Sequence, residues 1–318
     1  MLITLTALAL VLQATPTPPR PPERPKTRIQ APEPPRWSGR HSRDDDASSG
    51  DATLDTTFAV RQGQRLSVDN FGGSIKVTAW NQDRIRVSSS GNGDPFTVSA
   101  GSVTLRISTH DEDHGPGESD LTLQVPAWMD LELSGNEVDI STKGTRGAVQ
   151  ANTVEGSITI DGGEGAIEAN SVEGDIAVSN VRGRIQLNTT EGTVTLANIS
   201  GTDLDVETVD GGIEMTGVTV PNVEANTVDG NIRWTGALAA GGTFRFTTHD
   251  GDLTLTLPGE PDATVSVDTF DGSLESDWPV TLHGTSQRKM NFTLGTGRAR
   301  LELSSFDGTI GLKRGAGR

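Results

Sequence analysis

The chain has 318 residues, 38 glycines and no cysteine, which excludes disulfides and thiolate metal sites. Its formal net charge of −17 is unevenly spread: residues 15–43 carry seven Lys/Arg against two Glu, a local +5, and the rest sums to −22. So acidic a body repels nucleic acid and anionic lipid, and nucleic acid is not an expected partner.

Residues 1–14 (MLITLTALALVLQA) are apolar but too short to span a bilayer. They match the hydrophobic region of a secretory signal peptide cut after Ala14. The mature chain is therefore expected outside the cytoplasm (periplasm, cell surface or secreted) without a transmembrane span. Residues 15–52 start with nine prolines between Thr15 and Arg36 and continue as a polar, charged run through Asp44-Asp45-Asp46. That composition supports no core and reads as a disordered linker, able to reach on the order of 100 Å at about 3.1 Å per extended residue.

Order is expected from residue 53. Apolar and polar residues alternate over Phe58 to Val60, Leu66 to Val68, Ile75 to Val77, Ile85 to Val87, Val103 to Ile107 and Leu121 to Val125, as in half-buried strands. No window holds a helical period, so the domain is all-β.

A repeat then takes over. Asn152-Thr153-Val154-Glu155-Gly156-Ser157-Ile158 recurs as Asn170 to Ile176 and Asn188 to Val194, with weaker copies around Gly211, Gly230, Gly251, Gly272 and Gly308. The glycines from 156 to 272 are 18, 18, 19, 19, 21 and 21 residues apart, with a looser half-unit midway. A fixed period of this length marks a repeat architecture. One apolar column runs Ile158, Ile176, Val194, Ile213, Ile232, Leu253, Leu274, and the other Val149, Ile167, Ile185, Leu204, Val223, Phe244, Val265. An antiparallel meander would leave its apolar face bare unless it closed into a barrel or sandwich. A β-solenoid of 18–21 residues per coil explains more, because it stacks Asn152, Asn170 and Asn188 into an amide ladder and the Thr153/Ser171/Thr189 row likewise. The expected layout is an N-terminal cap over 53–130, regular coils over 131–277 and a C-terminal cap over 278–318. Trp234, Phe244, Phe246 and Phe270 are expected to fill a core that widens towards the C-terminus.

Leu66-Ser67-Val68-Asp69-Asn70-Phe71-Gly72-Gly73-Ser74-Ile75-Lys76-Val77, Val125-Pro126-Ala127-Trp128-Met129-Asp130-Leu131 and the Asn-Thr-Val-Glu-Gly-x-Ile repeats resemble the bacterial "putative adhesin" domain-of-unknown-function family. The resemblance covers 53–318. It implies an exported β-solenoid with a structural or surface-interaction role, and it brings no catalytic motif.

One carboxylate per repeat recurs beside the corner glycine: Glu155, Glu173, Glu191, Asp210, Asp229, Asp250, Asp271. Stacked like charges invite Ca²⁺, but calcium β-rolls use Gly-Gly-x-Gly-x-Asp in successive turns. Only Asp161-Gly162-Gly163-Glu164-Gly165 approaches that pattern, so a solvated corner is the preferred reading and no cofactor is expected. His110 and His114, four apart in an acidic loop before Gly115-Pro116-Gly117, form a second, weaker metal candidate. His249 takes a corner place held by Val elsewhere and reads as a packing substitution. No Gly-x-Ser-x-Gly, His-Glu-x-x-His or phosphate loop occurs. The chain is therefore read as a non-enzyme whose partner is a glycan or protein of the cell envelope. A polysaccharide lyase or glycosidase on a β-helix and a calcium-binding β-roll-like module are the alternatives.

Overall fold

The computed structural model describes residues 54–90, 96–109, 118–282 and 288–315. The expected signal peptide, the linker, and His110 and His114 lie outside the described residues. Every regular element among them is a β-strand. Burial alternates along most strands, as in Ala263–Thr269, where every second residue is buried.

Each repeat supplies two strands, and each pairs in parallel with its counterpart in the neighbouring repeat. One ladder runs through Val149–Asn152, Ile167–Asn170, 182–188, Ser200–Glu207, Asn222–Asn226 and Thr243–Asp250. The other runs through Ile158–Gly163, 176–181, Val194–Ala197, Ile213–Thr216, Ile232–Thr235 and Leu253–Pro258. The expected columns are in register: Ile158 faces Ile176, which faces Val194. All three are buried, whereas Thr159 is exposed. The amide ladder is present too, with Asn188 Nδ2 donating to Asn170 Oδ1 at 2.7 Å and Asn170 Nδ2 to Asn152 Oδ1 at 2.8 Å. The result is a solenoid-like stack around one continuous apolar core.

At the N-terminal end, Arg65–Trp80 crosses both ladders and pairs along its length with Asp130–Lys143. Residues 65–80, expected to belong to a cap, thus make a full coil. Thr104–Ser108 and Glu118–Pro126 stack beyond it in parallel. Antiparallel Thr97–Ala100, Arg84–Ser90 and Leu54–Ala59 then close that end.

The C-terminal end departs from sequence order. Leu253 faces Ile310, which faces Leu274, and Phe244 faces Leu301, which faces Val265. Ala299–Asp307 and Thr309–Gly315 therefore insert as a coil, and the repeat at 263–276 is displaced outward. Among the described residues of the expected cap at 278–318, Lys289–Leu294 is the strand that closes the stack, antiparallel to Ala263–Thr269. Burial differs between the two coils, although both place apolar residues in the core, Ala263, Val265 and Val267 among them. The inserted coil buries Leu301, Leu303, Ile310 and Leu312, whereas the displaced one ends in Ser273–Ser276, where no residue is fully buried. Asp262 anchors the return turn, accepting from Thr296 N at 2.8 Å, Arg298 N at 3.1 Å and the Arg298 guanidinium. Hydrogen bonds from Arg298 hold the Asp262 carboxyl far below the usual carboxylate range.

The corner is the tightest point of each coil. Gly174 has φ of +154°, and a Cβ there would lie 2.1 Å from the carbonyl oxygen of Gly156 one coil back. Glycine is required twice over, for the dihedral and for the approach. That oxygen also accepts from the buried hydroxyl of Ser171 at 3.3 Å. The same hydroxyl-to-glycine bond recurs from Thr189 to Gly174, Thr227 to Gly211, Thr248 to Gly230 and Ser305 to Gly251, at 2.9–3.2 Å. The threonine row is thus a column of locks. Trp234, Phe244 and Phe246 fill the wider part of the core, with rings 5.6–5.7 Å apart. Phe270 does not join them. It is half-exposed, because its place in the repeat is the outward position between the buried Thr269 and the corner.

Ile176→Ala should cost about 2–5 kcal/mol, as buried truncations do, and Thr159→Asp under about 1 kcal/mol. Equal shifts in urea midpoint would contradict the in/out assignment. Gly174→Ala should cost far more than Gly241→Ala. Gly241 also has positive φ but has nothing within 4 Å of an added methyl, leaving only the dihedral cost of about 1–2 kcal/mol. Thermal melts of the two variants test this.

Candidate functional site at the acidic corner

The lock dictates what the corner displays. With Thr153 turned inward and Gly156 making the bend, Val154 and Glu155 between them must point out. Repeated coil by coil, this builds two adjacent exposed columns.

The acidic column runs Glu137, Glu155, Glu173, Glu191, Asp210, Asp229, Asp250, Asp307, and then Asp271, whose N–H bonds the carbonyl of Phe306. Every one of these side chains is exposed. Sequence reading missed two members. Glu137 precedes Val138 rather than glycine, which hid its equivalence, although Asn136-Glu137-Val138-Asp139-Ile140 keeps the rest of the pattern. Asp307 lies in the copy around Gly308, but its place between Asp250 and Asp271 depends on the insertion. Beside the carboxylates run Val154, Val172, Thr190, Val209, Val228, His249, Phe306 and Phe270; the six apolar members are 42–51 % exposed. His249, read as a packing substitution, faces solvent and stacks on Phe306 at 4.6 Å.

The flat sides behave differently. Lys143 pairs with Asp161 at 3.9 Å, Arg184 with Asp203 at 3.6 Å, Arg233 with Glu214 at 3.1 Å and Arg245 with Glu302 at 2.9 Å, each across neighbouring coils. These side charges are compensated from coil to coil, whereas among the described residues no corner carboxylate is in an ion pair. Among the described residues, no three Asp, Glu, His or Cys side chains converge as a metal would require. Glu155, Glu173 and Glu191 stand one per coil.

A second feature is a groove of about 480 Å³ on the first ladder, lined by Arg184, Asp203, Asp205, Asn222, Glu224 and Arg245. Burial, reinforced by Glu207 and Glu224, pushes the Asp205 carboxyl above its ordinary range, and its Oδ1 is buried without a hydrogen-bond partner. Nothing in the sequence marked it, since Asp205 occupies the same outward position as Gln186 and Glu224. A raised pKa means the folded state holds its proton more tightly than the unfolded chain. Stability should fall as pH rises from about 3.8 through the raised value and stay reduced above it. Asp205→Asn should therefore raise the melting temperature at pH 7 and leave it unchanged well below pH 3.8. A gain of the same size in acid would mean the effect is not electrostatic.

Strand ladders, corner locks and two outward columns define an all-β repeat protein with a long surface ridge. Residues 46–313 match the family described as Toastrack DUF4097, and the chain belongs to that family. Among solved structures it is similar to a "putative adhesin" from Parabacteroides distasonis at 10 % identity and TM-score 0.48, covering 82 % of this chain and 97 % of that one. A "putative adhesin" from Bacteroides fragilis follows at 14 % identity and TM-score 0.44, with the same coverage. One from Parabacteroides merdae has 11 % identity and TM-score 0.34, covering 82 % of this chain and 95 % of that one. No curated protein matches.

Proposed function

We propose that this protein is an exported, capped β-solenoid of 18–21 residues per coil, and that it acts without catalysis as a surface-interaction protein of the cell envelope. The observation that carries the reading is the corner, where uncompensated carboxylates run beside an exposed apolar column over successive coils. Contiguous exposed apolar surface rimmed by charge marks interaction sites. Export rests on the apolar run at 1–14. The corner residues stand in rows, with no irregular cluster of the kind that builds an active site. The column is read as a solvated protein-binding surface and not a calcium site, because one carboxylate per coil falls short of the six to eight oxygens that Ca²⁺ takes. Among the described residues no helix is long and apolar enough to cross a membrane.

The competing reading, a carbohydrate-active enzyme, is favoured only by the Asp205 groove. One experiment separates them. The full chain and a variant with Glu173→Lys, Glu191→Lys and Asp210→Lys are compared for binding to isolated cell envelopes and a glycan array, with Ca²⁺ or EDTA. Polysaccharide depolymerisation and cell fractionation are followed alongside. Binding should be lost in the variant with its melting temperature kept, EDTA should change nothing, and the mature chain should be extracytoplasmic. Undiminished binding by the variant, shortened saccharides that disappear with Asp205→Asn, or an intact Met1 on cytoplasmic protein would each count against the proposal.

A further inference from the structure

We propose that the C-terminal part of the corner, from Val228 to Phe270, docks a proline- and arginine-rich partner segment in polyproline II conformation. This rests on the corner being the binding surface and names the chemistry of what binds there. The apolar column turns aromatic at this end. His249, Phe306 and Phe270 stack 4.6 and 4.7 Å apart, with interplanar angles of 10° and 4°. Each ring is half-exposed or exposed, and each is held by its own coil, so little side-chain freedom is lost on binding. Asp229, Asp250, Asp307 and Asp271 stand alongside, all exposed.

Three observations select the partner. The first is charge. Among the described residues none of these four carboxylates is in an ion pair, in contrast with the compensated sides. A cationic partner suits them, whereas a second copy of the same corner is repelled. The second is a guanidinium already in place. Arg288 lies 3.8 Å from the centroid of Phe270 and covers the face turned away from Phe306, so the chain itself shows arginine on this stack. The third is backbone and pitch. Corner N–H groups are spent between coils, Gly230 on Asp250 O at 2.9 Å, Asp250 on Val228 O at 2.8 Å and Gly251 on Asp307 O at 3.0 Å. Strand addition would find these donors already used, and a polyproline II ligand needs none. That helix rises about 3.1 Å per residue with three residues per turn, so one face repeats after about 9.3 Å. Every second ring of the stack recurs at about that distance, twice the 4.6–4.7 Å ring spacing. Same-face residues of an extended strand recur at about 6.8 Å, which falls between rings. Prolines at every third position can thus lie against the exposed edges of alternate rings while arginines on the adjoining side meet the carboxylates.

The test is titration of the full-length protein with a labelled peptide of four Pro-Pro-Arg units, against equally charged Ser-Gly-Arg units and acidic Pro-Pro-Glu units. The Pro-Pro-Arg peptide should bind about tenfold or more tighter than Ser-Gly-Arg, weaken with added salt, and Pro-Pro-Glu should not bind. Phe306→Ser and Asp250→Lys should each weaken it by about tenfold, and Val154→Ser, far along the corner, should not. Should Phe306→Ser fail to fold, Phe270→Ser on the outer coil takes its place. Equal binding of the two arginine peptides would reduce the effect to charge and overturn the proposal, as would indifference to the ring substitutions or equal loss with Val154→Ser. Failure of the peptide while the envelope binding of the preceding section persists would remove this inference alone. Loss of both would remove the corner as a binding surface.

Discussion

The bond from a buried hydroxyl to a glycine carbonyl one coil back is the constraint on which the rest depends. Coils stacked at the strand spacing of about 4.8 Å leave no room for a side chain where the chain bends. At Gly174, Gly211, Gly230 and Gly251 an added Cβ would lie 2.0–2.1 Å from a carbonyl oxygen of the adjacent coil. Those carbonyls would be buried and unsatisfied if the coil ended there, at a cost of about 1–3 kcal/mol each. The Thr and Ser hydroxyls remove much of that penalty and leave only one orientation for the residues between hydroxyl and glycine. Thr269, on the outermost coil, has a buried hydroxyl with no hydrogen-bond partner, although Gly308 stands one coil back.

This constraint separates two kinds of surface. On the sides, outward residues are free to vary, and opposite charges meet across coils. Exposed pairs of this sort are worth little, about 0–1 kcal/mol, so their alternation serves register and solubility more than stability. At the corner the outward residues cannot turn in to find partners. Like charges there are weakened by water and salt, and they persist as a field of one sign beside an apolar strip. The ridge is thus a product of folding geometry before it is a binding device.

Periodicity made most of this legible. The spacing of 18 between Ile158, Ile176 and Val194 states their register directly, because residues in equivalent positions of adjacent coils must pair. The amides of Asn152, Asn170 and Asn188 were readable on the same ground. Equivalence is not adjacency, however. Phe306-Asp307-Gly308-Thr309-Ile310 is a visible copy of the corner, yet its place between the coils of Leu253 and Leu274 is set by long-range pairing that spacing along the chain does not state. Composition also misled at Phe270, where size suggested core and position in the repeat required the surface. Asp205 was illegible for another reason, since its raised pKa comes first from burial and then from Glu207 and from Glu224 on the next coil.

The inserted coil links the fold's one long-range event to its most distinctive surface. In sequence order His249 would meet Phe270 directly, and the aromatic run would be two rings long. Placing 299–315 between them adds Phe306 to the stack and Asp307 to the carboxylates, so both columns lengthen by one member at the same level. The core contacts of the inserted coil are buried and apolar, while its corner side chains Phe306 and Asp307 are exposed. Turn contacts at Asp262 hold it closed, with Thr296 and Arg298 converging on one carboxylate. A change in that turn would therefore act on the ridge without touching it, by altering which coil supplies the middle ring. Core packing and surface recognition are coupled here through stacking order alone.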